Sequence, residues 1–162
     1  MPDVVTARVR LRDAEGREDM ATTRGLFEEY ATSIGVDLCF QGFAEELASL
    51  PGAYAPPSGC LLLAERGEAV GCVALRPLTA GIGEVKRLYV RPTARGEGVG
   101  ALLARAVIER ARICGYRELK LDTLQTMTTA HALYASLGFL PCAPYYQNPL
   151  PGVTYMSLAL SA

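Results

Sequence analysis

The sequence predicts an α/β (α+β) fold: a central mixed, mostly antiparallel sheet with helices on both faces, its elements in the order β-α-α-β-β-β-α-β-α-β. Three observations predict it. Two apolar runs, 60–64 and 69–75, are split by the polar stretch 65–68, which reads as a hairpin of central strands. Residues 98–114 have helical spacing, with Leu103, Val107, Ala111 and Cys114 on one face and Gly115 placed as a C-terminal stop. This helix lies between two strand-like segments, 83–90 and 119–123, and so makes a βαβ unit downstream of the hairpin.

The remaining elements follow from the same signals. Residues 4–11 alternate β-branched and polar side chains and read as a first strand. Residues 18–34 set Leu26, Phe27, Tyr30 and Ile34 on one side of a helix that Gly35 ends. A second, short helix is expected over 43–50. Three prolines and two glycines make 51–59 a loop. Toward the end, 128–137 reads as a helix closed by Gly138, and 153–160 as the last strand.

Composition bounds the function. The 162 residues suit one domain, 1–162, and the apolar share of 50% is that of a globular chain. A net charge of −1 gives no basic footprint, so nucleic acid is not an expected partner. No apolar run is long enough for a membrane span, and the first residues lack the pattern of a secretory leader, which predicts a cytoplasmic protein. The five cysteines are scattered without a C-x-x-C pair and read as small buried hydrophobes. With a single histidine, neither a multi-His metal site nor a Ser-His triad is expected, and no metal is predicted.

The distinctive segment is 84–100, where a strand runs into a loop with glycines at 96, 98 and 100 and then into a helix. Glycines let backbone approach a ligand closely, and a helix N-terminus favours a phosphate. Arg95 adds a cation for charge-assisted bonds. Gly96-x-Gly98-x-x-Ala101 also matches the dinucleotide fingerprint, with Asp122 near the end of the next strand. Against a dinucleotide-binding oxidoreductase, five residues including Pro92 separate Val90 from Gly96, and too little chain follows Gly100 for a second mononucleotide half.

Arg95-x-x-Gly98-x-Gly100, preceded by Leu88-Tyr89-Val90, resembles the R/Q-x-x-G-x-G/A loop of the GNAT acetyltransferases. Ala130-His-Ala-Leu-Tyr-Ala-Ser-Leu-Gly-Phe139 resembles the A-x-x-L-Y-x-x-L-G-F helix of the same family. The resemblance implies a GNAT-like fold whose fourth strand splays from the fifth, with acetyl-CoA as co-substrate in the gap. Leu88, Tyr89 and Val90 would line the pantetheine arm. Arg95, Gly96, Gly98, Val99, Gly100 and Ala101 would hold the pyrophosphate. Where many members carry an Asn, this chain has Met127, so Thr126 or Thr128 is expected to replace its bond or the bond is absent.

Acetylation of an amine needs a base for the amine proton and an acid for the departing thiolate. Glu84, on the fourth strand, is the candidate base, directly or through a water, with Asp122 as the alternative. Tyr134 is the candidate acid, as the resemblance implies. His131 sits at a variable slot of the motif, away from the face of Tyr134, and is read as non-catalytic. Phe40 and Tyr54 on one segment, and Tyr145 and Asn148 on another, are the expected substrate walls. The acceptor is a small-molecule or peptide amine, a homodimer stays open, and a non-catalytic acyl-CoA-binding module is the second reading.

Overall fold

The computed structural model describes residues 8–35, 38 and 42–160. Its strands are β1 (Arg10–Asp13), β2 (Cys60–Arg66), β3 (Glu68–Thr79), β4 (Ile82–Val90), β5 (Glu118–Leu124), β6 (Leu140–Cys142) and β7 (Val153–Ala159). They form one sheet in the order β1-β2-β3-β4-β5-β7-β6. The helices are α1 (Gly16–Ile34), α2 (Phe43–Ser49), α3 (Val99–Ile113) and α4 (Thr128–Ser136). Pairing is antiparallel except between β4 and β5, which α3 joins as a parallel crossover. No helix among the described residues is long and apolar enough to cross a membrane.

The first strand begins later than expected. β1 starts at Arg10, and residues 4–7 of the expected strand lie outside the described residues. β6 was not expected; three residues with Pro141 at their centre are too short to show an alternation. The hairpin runs are unbroken apolar stretches because helices cover both faces of the sheet. Leu62, Val73 and Leu75 face α3 in one core cluster, while Leu61, Leu63, Cys72 and Ala74 join Leu26 and Phe27 of α1 in the other.

Two irregularities in β4 open the sheet. β4 pairs with β5 only at Ile82, Gly83 and Glu84, after which the strands part. β5 continues instead in register with β7 along its full length. On the other edge, Cys72 pairs with Tyr89 but Ala74 pairs with Lys86, so Arg87 and Leu88 together oppose Val73. This is a β-bulge, and Arg87 takes φ +60 there. Strict alternation would send Arg87 to the α3 face beside Val85. The bulge turns it toward α2 instead, next to Lys86 on the α1 face.

Candidate active site

The loop between β4 and α3 is built for an anion. After Val90, Pro92–Ala94 forms a 3-10 turn, and Gly96 and Gly98 take φ +81 and +80. A Cβ at either would meet nothing within 4 Å, so both glycines border open space. Leu102 N–H makes the first helical bond back to Gly98 O at 3.1 Å. The amides of Val99, Gly100 and Ala101 precede it and have no helical acceptor. With the helix dipole they form an anion site. Arg95 leans back, its Nε donating to Val90 O at 3.0 Å and its guanidinium 5.9 Å from the Tyr89 ring.

All ten residues expected at the cofactor line one cleft of about 900 Å³: Leu88, Tyr89, Val90, Arg95, Gly96, Gly98, Val99, Gly100, Ala101 and Thr126. Met127 and Thr128 line it too, from the start of α4. Open glycines, unpaired amides and an apolar channel along the unpaired edge of β4 fit a pyrophosphate and its pantetheine arm.

A smaller, inner pocket adjoins the cleft, and Tyr30, Ile34, Leu88, Leu124 and Met127 line both. It occupies the gap where β4 leaves β5, so side chains from both sheet faces reach it. Lys86, Asp122, Thr123, Tyr134 and Asn148 are among its polar walls. Lys86 Nζ lies 3.9 Å from Glu84 Oε2 and 3.8 Å from Asp122 Oδ1. Burial holds its ammonium below the usual lysine range, while both carboxylates oppose that shift.

The two candidate bases differ in access. Glu84 is 1% exposed and does not line the pocket. Arg76 Nε donates to its Oε1 at 2.8 Å and the Tyr145 hydroxyl to its Oε2 at 2.6 Å. Asp122 lines the pocket and accepts from the Tyr146 hydroxyl at 2.6 Å. The reason is register: Glu84 lies where β4 and β5 are still paired, whereas Asp122 lies past the divergence. Tyr134 stands on the pocket wall with its ring 5.5 Å from Phe139, and burial raises its hydroxyl far above the ordinary tyrosine value.

Among the expected substrate residues, Asn148 lines the inner pocket, and Tyr145 sits beneath it, engaged with Glu84. Tyr54 is corrected: it is 2% exposed, packs edge-on against Phe27 at 6.1 Å and lines neither cavity. Phe40 lies outside the described residues. His131 is half-buried and lines neither cavity. Lys86 was missed, and Tyr146 fell within the expected wall segment 145–152 without a role of its own. Lys86 had one available signal, its place two residues from Glu84 on the same strand face; the bond of Tyr146 to Asp122 had none, since its partner is 24 residues away.

The family model for the acetyltransferase (GNAT) family matches residues 23–139, most of the chain and both glycine and tyrosine motifs. The chain belongs to the GNAT family. It is an acetyl-CoA-dependent N-acetyltransferase, and the dinucleotide reading of Gly96 to Ala101 falls away. This GNAT chain is 44% identical over 147 residues to an uncharacterized N-acetyltransferase of Schizosaccharomyces pombe, covering 89% of this chain and 90% of that one. It is 36% identical over 155 residues to the IAA acetyltransferase of Azospirillum brasilense, covering 93% and 95%. The yncA protein of Salmonella typhimurium, solved with its cofactor acetyl-CoA, shares the fold with a TM-score of 0.68 at 22% identity, over 94% of both chains.

Proposed function

We propose that this GNAT enzyme acetylates a primary amine of a small molecule or peptide by direct attack in a ternary complex, with Asp122 as proton acceptor and Tyr134 as proton donor. One observation carries this reading. The inner pocket adjoins the cofactor cleft at the β4–β5 divergence, sharing five wall residues with it, and Asp122 and Tyr134 are both on its walls.

Acetyl-CoA supplies the acetyl group and the thiolate leaving group. Asp122 takes the proton from the incoming ammonium, freeing the nitrogen pair that forms the N–C bond as the C–S bond breaks. Tyr134 gives its proton to the departing thiolate. The acylated nitrogen then gives up its second proton, which restores Tyr134 by way of solvent, while Asp122 releases its own to solvent, so one proton leaves per turnover and the cycle balances. The amides of Val99, Gly100 and Ala101 hold the pyrophosphate and Thr126 borders the arm, so the thioester is oriented by backbone more than by side chains. Glu84 does not touch the reacting atoms in this scheme; it anchors Tyr145, Arg76 and Lys86 below them. The free cysteines among the described residues suit a reducing, cytoplasmic setting.

The test is release of free thiol from acetyl-CoA in the presence of a library of amino acids, small metabolite amines and peptides. Amine-dependent release that disappears in Asp122→Asn is expected. No amine-dependent release across the library, from protein that binds acetyl-CoA, would contradict the reading.

A further inference from the structure

The segment leading into β7 ends a chain of hydrogen bonds on Asp122. Leu150 N–H donates to Asn148 Oδ1 at 2.9 Å, which fixes the amide so that its nitrogen points the other way. Asn148 Nδ2 donates to the Tyr146 hydroxyl oxygen at 2.9 Å. A phenol that accepts there has its single proton left for Asp122 Oδ2, 2.6 Å away. Burial, followed by the bond to Asp122, pushes the Tyr146 hydroxyl well above its ordinary value, so the phenol stays a donor. Each donor and acceptor direction is set by a backbone amide at one end and a carboxylate at the other.

We infer that Tyr146, pinned by Asn148, is a positioning residue that holds the Asp122 carboxylate aimed into the acceptor pocket. The inference rests on the reading of Asp122 as proton acceptor. One carboxylate oxygen is committed to the phenol, and the other, on the Lys86 side, is the one presented to the acceptor amine. Among the described residues, the charged and titratable groups around Asp122 are Lys86 and Arg87 from β4, Tyr145 and Tyr146 from the segment before β7, Tyr155 from β7, Tyr134 from α4 and Tyr30 from α1. Of these, Tyr146 alone donates to the carboxylate within hydrogen-bond distance among the described residues. A donor to the charged form favours that form. Removing it moves the acid limb of kcat/KM to higher pH, an effect that loss of packing alone does not produce.

The experiment compares wild type, Tyr146→Phe, Asn148→Ala and Asp122→Asn in two ways. One is carboxyl titration by NMR of protein carrying ¹³C-labelled aspartate. The other is the pH profile of kcat/KM with acetyl-CoA and the amine giving the greatest thiol release. In Tyr146→Phe the Asp122 resonance and the acid limb both move upward, with about a fivefold loss of kcat/KM below the limb, the worth of one hydrogen bond. The plateau at high pH changes less. Asn148→Ala shifts both in the same direction by less, and carries the test if Tyr146→Phe melts early. Profiles and titrations of both variants that superimpose on wild type overturn the positioning role. An Asp122→Asn enzyme that keeps the wild-type acid limb overturns the base assignment, and the positioning role with it.

Discussion

A buried phenol on the apolar face of a helix is ordinary packing unless it also borders a cavity, and Tyr134 is one of the residues that line the inner pocket. Tyr134→Phe deletes one oxygen and keeps the ring against Phe139. The expected result is a fall in kcat of roughly 10²-fold with acetyl-CoA affinity little changed. Single-turnover rates measured beside kcat keep slow product release from hiding the loss. The place of Tyr134 on a buried helix face was legible in the sequence, because Ala130, Leu133, Tyr134 and Leu137 share one face within a recognisable motif. The choice between Glu84 and Asp122 was not legible. Both are carboxylates near strand ends, and which one meets the pocket depends on where two strands part, a property of pairing.

At the scale of elements, the β4 bulge ties the cofactor strand to the helices above it. Arg87 makes two bonds of 3.0 Å to the Glu46 carboxylate on α2, and its guanidinium lies 5.2 Å from the Phe43 ring. Breaking a buried pair strands the remaining charge, which costs about 3–5 kcal/mol. Arg87→Met is therefore expected to lower stability by about that amount in a denaturant titration, and Arg87→Met with Glu46→Met to recover much of it. Two equal losses that simply add would show that the pair is not coupled. The hairpin of β2 and β3 and the whole of α3 were readable from apolar runs and spacing. The bulge was not, because φ +60 falls on an arginine where glycine or asparagine would have announced it.

At the scale of the whole molecule, the sheet separates two cores, and a cysteine sits in each. Burial pushes the thiols of Cys60 and Cys72 up to about 12. Native protein is expected to leave both unalkylated at pH 8, read by mass spectrometry of the labelled peptides, and denatured protein to expose both. Rapid native labelling of Cys72 would contradict the packing of α1 on the sheet. Tyr54 marks the limit of reading at this scale. A loop with three prolines gave no sign that its tyrosine turns inward to close a core, since that depends on Phe27, far away in sequence.

The central claim is that the cleft opened by β4 and floored by the α3 N-terminus holds acetyl-CoA. Its most direct measurement is thermal unfolding with and without the ligand, in wild type and in Gly98→Val. At 100 times its Kd, acetyl-CoA should add about 2.7 kcal/mol of stability to the wild type and raise its Tm, while NAD(H) should do neither. In folded Gly98→Val, a side chain at φ +80 projects into the open space beside the free amides, and the acetyl-CoA shift should vanish. A wild-type Tm unmoved by millimolar acetyl-CoA, or a full shift retained in folded Gly98→Val, would contradict the account.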